Sequence, residues 1–283
     1  MCMEKLFISQ GLLTDFKRHL ILTERSPATV EKYCRDVTAF FEYIKNDEVT
    51  KEALIGYKST LIDSGYATNS INSMIASINT LLDFIERSDL KIKSIKVQKK
   101  VFCSEEKELT KPEYERLVKT ARERNNTRLF LILQTICGTG IRISEMRFIT
   151  VEAAKRGEAV VSCKGKTRSV FLVRALQKAL LNYARVKGIE SGIIFVTRSG
   201  KPVDRTNVWR DMKGLCVDAN VDPKKVFPHN LRHLFARIFY GLEKDIAKLA
   251  DILGHSSINT TRIYIVSTGA EHRRFMENMK LII

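Results

Sequence analysis

Three short stretches carry residue types suited to holding and attacking an anion. Pro228-His229-Asn230-Leu231-Arg232-His233 begins with a proline, which is favoured in the first turn of a helix, and sets His229 and Arg232 three residues apart. At that spacing two helical side chains share a face and can converge on one phosphate. Thr139-Gly140-Ile141-Arg142-Ile143-Ser144-Glu145 places an arginine three residues before a carboxylate, and Gly254-His255 precedes Tyr264 by nine residues counted from the histidine. A fourth, basic stretch, Lys164-Gly165-Lys166-Thr167-Arg168, lies between two apolar runs.

Several other chemistries are excluded by the same residues. His229 and His233 have the spacing of a zinc helix, but Asn230 stands where a metalloprotease needs glutamate. Gly165-Lys166-Thr167 would suit a phosphate loop only with a glycine at position 160, which is Val160. Glu145 and Asp251, the acids near the motifs, are far apart in sequence and do not suggest a magnesium site. The six cysteines are scattered without a Cys-x-x-Cys pair and read as free thiols in a reducing cytosol. No metal and no cofactor is expected.

The chain has 283 residues, 44% hydrophobic and 28% charged, enough for one large or two ordinary domains. Its 48 Lys and Arg against 32 Asp and Glu give a formal charge of +16, which points to nucleic acid or an anionic membrane surface. The longest apolar stretch, residues 129–133, is far below the roughly 20 residues of a membrane span, and no charged lead with an apolar run opens the chain. A cytoplasmic location is expected. The charge is also unevenly divided: residues 1–90 carry 10 basic and 13 acidic side chains, and residues 91–283 carry 38 and 19.

These numbers frame the elements that must position the motifs. Val30, Tyr33, Val37, Phe40, Phe41 and Ile44 keep helical period after Ser26-Pro27, a capping serine followed by a first-turn proline. Ile71, Ile75, Ile78, Leu82 and Ile85 predict a second helix, with Asn69, Asn72, Ser73 and Thr80 as an uncharged polar stripe on its other side. With helices near 5–22 and 50–64, residues 1–90 form a helical bundle. Residues 91–108 begin with Lys91, Lys93, Lys96, Lys99 and Lys100 and read as a basic linker able to lie along a phosphate backbone. Residues 109–283 should be helical with a small sheet: helices over 112–124 and 127–136, strands over 159–163, 169–173 and 192–197, and mostly helices after Asp204.

Taken together, Arg142 in Thr-Gly-x-Arg-x-Ser-Glu, a lysine in a β-turn, His229-x-x-Arg232, Gly254-His255 and Tyr264 occur in an order that resembles the tyrosine recombinases of the phage-integrase and Xer type. The resemblance covers nearly the whole chain. It implies a mainly α fold with a small antiparallel sheet: an N-terminal core-binding, SAM-like helical domain over 1–90, and an α+β catalytic domain over 109–283. It further implies that Tyr264 attacks a scissile phosphate to give a 3′-phosphotyrosyl link, that Arg142 and Arg232 clamp the non-bridging oxygens, and that Glu145 orients Arg142. His229 would help to accept the tyrosine proton, and His255 would donate to the phosphate. The leaving 5′-oxygen would take its proton from Lys164, with Lys166 the alternative because this turn is one residue shorter than the family's usual Lys-Gly-x-x-x-Arg.

The implied partner is double-stranded DNA bearing a core site of inverted repeats, gripped in the first domain by Lys32, Arg35, Asn69, Asn72 and Ser73 and along the linker lysines. Self-association into a tetramer on DNA would run through the C-terminal tail after Tyr264. Residues 265–272 depart from housekeeping Xer proteins, which favours a mobile-element integrase, and without the additional arm-binding domain of larger phage integrases a simple core site is expected. Xer-type dimer resolution, a type IB topoisomerase and a DNA-binding regulator without catalysis are the rival readings; a peripheral membrane protein would need a basic amphipathic helix that the sequence does not offer.

Overall fold

The computed structural model describes residues 10–45, 48–96, 108–163, 166–262 and 276–279. Lys99, Lys100, Lys164, Tyr264 and most of the C-terminal tail lie outside the described residues. The chain divides into two compact units, Met1–Lys99 and Lys100–Ile283.

Four helices build the first unit: α1 (Gln10–Leu22), α2 (Pro27–Ile44), α3 (Lys51–Asp63) and α4 (Thr68–Phe84). Helix α2 starts where the sequence predicts, with the Ser26 side chain accepting from the Thr29 amide and Pro27 in the first turn. Its apolar stripe, Val30, Val37, Phe40 and Ile44, is buried against Ile71, Ile75, Ile78 and Leu82 of α4 and against Phe16 and Leu20 of α1. Among the polar residues, Asp36 is buried and accepts hydrogen bonds from Lys32 and from Ser77 Oγ at 2.7 Å.

The first six residues of the predicted linker do not hang free. After a 3₁₀ turn at Ser88–Leu90, residues 91–96 run extended over α3 and α4 with Leu90 and Ile92 buried. Asn79 exchanges two hydrogen bonds with the backbone of Ile92 (3.0 and 3.2 Å), and Asn72 two more with Ile95 (2.9 and 2.8 Å). The spacing explains the fit. Seven residues of helix rise about 10.5 Å, and three residues of extended chain span about 10 Å, so the two asparagines are spaced to meet the backbone of Ile92 and Ile95. Lys51 donates to the Asp89 and Lys91 carbonyls, Lys58 to the Lys93 carbonyl, and Lys91 pairs with Asp83. The segment is extended, as expected, but its backbone is bound to the first unit.

The second unit is wound around α6 (Thr127–Thr139), whose Leu129, Leu131, Ile132, Leu133 and Ile136 are all buried. Helix α5 (Lys111–Glu123) enters through a capping box in which Thr110 and Glu113 satisfy each other's backbone amides. A 3₁₀ segment, Ile143–Phe148, and α7 (Val151–Arg156) lead to an antiparallel hairpin of β1 (Glu158–Cys163) and β2 (Lys166–Phe171). The pairing runs from Glu158 with Phe171 to Cys163 with Lys166. The second strand therefore starts three residues earlier than its apolar run suggests, and Lys166, Thr167 and Arg168 belong to the ladder. Ala159, Val161 and Val170 face the core, whereas Val160 and Phe171 face out.

Helices α8 (Arg174–Val186), α9 (Arg205–Lys213), α10 (Pro228–Glu243), α11 (Ile246–Leu253) and α12 (Ile258–Arg262) complete the unit. The strand expected over 192–197 is absent. Ile193 and Val196 make isolated bridges to Thr150 and Pro202, while Ile194 and Phe195 are fully buried. Proline at 202 has no amide to continue a ladder, so an apolar run that reads as a strand is core packing in a bent segment. No helix among the described residues is long and apolar enough to cross a membrane. The architecture is mainly α with a small antiparallel sheet.

Replacing Asn72 and Asn79 by alanine should release the strap, raising amide exchange at Ile92 and Ile95 and destabilising the first unit by about 1–3 kcal/mol for each lost pair of bonds. Unchanged exchange at those amides would show that the asparagines do not hold it.

Candidate functional site

The site is assembled where the ends of α6 and α11 meet the start of α10. Helix α6 ends at Gly140 in a left-handed conformation (φ 66°), where a Cβ would run into the Phe235 ring of α10. Arg142 follows as the cap of the 3₁₀ segment, and Glu145 closes back on it: the carboxylate accepts from the Arg142 amide (2.9 Å) and from Arg142 Nη1 (2.9 Å). Glu145 also accepts from Arg168 Nη2 at 2.6 Å. Its side chain is 1% exposed, that of Arg168 12% and that of Arg142 38%, so the open end of this trio is Arg142.

Helix α10 supplies the second group. Pro228 occupies its first turn, as the motif predicts, and the next turns carry His229 at the surface and Arg232 in the interior. At 1% exposure, Arg232 gives Nη1 to the Gly140 carbonyl and Nη2 to the Leu253 carbonyl (2.7 Å) and to His255 Nε2 (3.0 Å). Helix α11 ends at Gly254, again left-handed (φ 64°), where a Cβ would overlap the Arg168 side chain. His255 follows, half-buried, with Nδ1 2.8 Å from the hydroxyl of the buried Thr261 on α12. Arg142, Glu145 and Arg168 thus form one hydrogen-bonded set and Arg232, His255 and Thr261 another, and both reach the end of α11, at the carbonyls of Ile252 and Leu253. Tyr264 lies two residues beyond the end of α12 at Arg262, outside the described residues.

Burial and neighbouring charges together set the protonation states. Burial pushes the Glu145 carboxyl up, but the Arg142 amide and the Arg168 and Arg142 charges outweigh it and hold the group below its ordinary range. Desolvation and then the charges of Arg232, Arg142 and Arg205 push His229 down, so it stands neutral near pH 7 and can take a proton. His255 is pushed down to about 4 by desolvation and then by Arg232, Arg142 and Arg168. His233, edge-on to His229 with ring centroids 4.8 Å apart, is likewise pushed down to about 4, mainly by burial.

The contact between Arg232 and His255 fixes the tautomer of the ring. Arginine can only donate, so the contact with Arg232 assigns Nε2 of His255 as acceptor and Nδ1 as the protonated nitrogen facing Thr261. In this arrangement His255 orients Arg232. Arg232 likewise gives its Nη hydrogen bonds to two carbonyls and a histidine, and Arg142 is the guanidinium of the pair that reaches solvent.

Other sequence-predicted residues fall elsewhere. Lys166 opens β2, and its backbone pairs with Cys163. In the first unit Arg35 and Asn69 are exposed, whereas Lys32 is tied to Asp36, the Ser73 carbonyl and Ser77, and Asn72 holds the strap. Lys93 and Lys96 are exposed and Lys91 pairs with Asp83. Among the described residues no three His, Cys, Asp or Glu side chains gather as metal ligands would. Arg168 was not predicted. Its signal is an arginine two residues before Val170 on the inward face of a half-buried strand, a place where a charge requires a partner.

Comparison with known proteins follows the same division. Residues 107–271 match the model of the phage integrase family, and residues 13–89 match the phage integrase N-terminal SAM-like domain. Tyrosine recombinase XerA of Pyrococcus horikoshii is 27% identical over 97% of this chain and 95% of its own length. Tyrosine recombinase XerD of Oceanobacillus iheyensis is 27% identical over 89% of this chain and 92% of its own. Among solved structures, a lambda integrase tetramer bound to a Holliday junction superposes with a TM-score of 0.74 at 15% identity, covering 92% of this chain and 78% of that one.

The histidines make stability pH-dependent with a definite sign. His233 and His255 have folded values of about 4 against 6.5 for an unperturbed imidazole. Between those values the unfolded chain binds protons that the folded one refuses, so stability falls as pH is lowered through the window. The urea midpoint of the second unit should therefore drop between pH 7 and pH 5, above the range in which carboxylates titrate, and His255→Gln should flatten that slope. An equal midpoint at the two pH values would contradict the buried, neutral assignment.

Proposed function

The chain belongs to the phage integrase family and is a tyrosine-type site-specific DNA recombinase, and from that premise we propose that Tyr264 is its nucleophile and Arg142 the cation that receives the scissile phosphate. The observation that carries this reading is the Arg142 guanidinium, held on one edge by buried Glu145 and open to solvent on the other. Phosphoryl transfer gathers negative charge on the non-bridging oxygens, and a preorganised guanidinium meets it with a charge that does not titrate away.

In the first step the Tyr264 oxygen bonds to phosphorus as the bond to the 5′-oxygen breaks. Neutral His229 takes the phenol proton, and a lysine of the hairpin turn, Lys164 with Lys166 as the alternative, protonates the leaving oxygen. The phosphodiester is conserved as a phosphotyrosyl ester, so religation to a partner strand's 5′-hydroxyl needs no external energy source. Arg232 contributes a second buried positive charge and, through the Gly140 and Leu253 carbonyls, holds the turns that precede Arg142 and His255.

The partner is DNA, with phosphate contacts supplying most of the grip. In the first unit exposed Arg35 and Asn69 are the described side chains best placed to read it. The chain acts as a tetramer at a core site of inverted repeats, with the tail after Tyr264 docking on a neighbouring copy; Met276 and Met279, 58% and 49% exposed, are consistent with a partner for that tail. Movement of a mobile element is the primary reading, on the departure of residues 265–272 from housekeeping Xer proteins. Dimer resolution is the second, favoured by the end-to-end match with XerA.

Incubated with a nicked suicide duplex cut from the DNA that flanks its own gene, the wild-type chain should form a covalent protein–DNA adduct at the 3′ side of the break. Tyr264→Phe should shift the same duplex on a native gel with unchanged affinity and form no adduct. An adduct formed by Tyr264→Phe would overturn the nucleophile assignment.

A further inference from the structure

Arg168 joins three fragments that the chemistry needs together, and the reaction as written does not use it. It sits on the inward face of β2, opposite Val161 and two residues before buried Val170. Its Nη2 donates to Glu145 Oε2 (2.6 Å) and its Nη1 to the carbonyl of Ile252 (2.7 Å), three residues before His255. The aliphatic stem lies against Gly254, whose missing Cβ leaves the room for it. One side chain therefore touches the Arg142–Glu145 fragment, the hairpin and the Gly254–His255 turn.

The electrostatics give that contact a purpose. A carboxylate at 1% exposure is costly unless paired. With Arg142 as its only cation, Glu145 would be matched one to one and the pair would be neutral. Arg168 occupies the other oxygen, so the trio carries a net positive charge while Arg142 keeps its outer edge for the substrate. Its second bond, to the last turn of α11, ties β2 to that helix.

We propose that Arg168 is a positioning residue for DNA cleavage: it fixes the phosphate-binding edge of Arg142 through Glu145. The proposal rests on Arg142 as the phosphate-binding cation. Loss of a preorganised donor costs roughly 10² to 10³ in rate, and a donor left in place but loosened should cost about 10 to 100. Arg168→Lys keeps a charge but not the fork that bridges two acceptors, so it should fall between wild type and Arg168→Gln.

The test compares adduct formation on two suicide duplexes of one sequence, one with an ordinary scissile phosphate and one with a methylphosphonate there. The methylphosphonate has a methyl group in place of one non-bridging oxygen and carries no charge for Arg142 to offset. Arg168→Gln should be slowed about 10- to 100-fold on the phosphate and differ little from wild type on the methylphosphonate, with unchanged duplex affinity. A variant that merely folds less well is slowed equally on both substrates, and that result would overturn the proposal. Arg142→Ala run in parallel separates the two levels. If it shows no phosphate-selective defect, the reading of Arg142 fails and this inference with it; if it does and Arg168→Gln does not, only the role of Arg168 fails.

Discussion

The arrangement of the second unit depends on one buried carboxylate. Glu145 cannot stay ionised without partners at its depth, and its partners come from its own 3₁₀ segment and from β2. Satisfying it fixes the direction of Arg142, the depth of Arg168 and, through Ile252, the end of α11. The cationic site is therefore set by the requirement of an anion inside the protein before any anion arrives from outside. That is economical for phosphate chemistry, because positive charge held in place in advance need not reorganise in the transition state.

Arg232 imposes the complementary constraint. A guanidinium at 1% exposure must find acceptors, and the free carbonyls at the ends of α6 and α11 supply them. Both helices stop in left-handed glycines, Gly140 and Gly254, so their terminal carbonyls turn towards the same arginine. His255 completes the set as an acceptor, with Thr261 holding its other nitrogen. Among the motif residues Arg142 meets the solvent, while buried Arg232 joins the ends of α6 and α11 and holds His255.

Much of this was legible in the sequence, for reasons that differ by element. Ser26-Pro27 with a clean apolar period located α2, and Pro228 located the start of α10, because caps and prolines act locally. The ordered motifs located Arg142, Glu145, Arg232 and His255. What escaped was decided by long-range hydrogen bonding. The amides of Asn72 and Asn79 could not be seen to match the strap, Arg168 gave no sign of Glu145 as its partner, and the depth of Arg232 follows from the packing of α10 on α6 rather than from its own neighbours in sequence. The run over 192–197 was misread because a buried apolar segment looks like a strand until Pro202 is known to face it.

The recombinase thus holds an internal salt-bridged cluster of Arg142, Glu145 and Arg168 that ends at a partly exposed guanidinium. The most direct measurement of the organising claim is a double-mutant cycle on unfolding free energy with Glu145→Gln and Arg168→Gln. Breaking a buried pair from one side costs about 3–5 kcal/mol, so each single variant should lose about that much, and the double variant should be no less stable than the worse single one. Additive losses in the double variant would show that the two side chains do not depend on each other and would contradict the account.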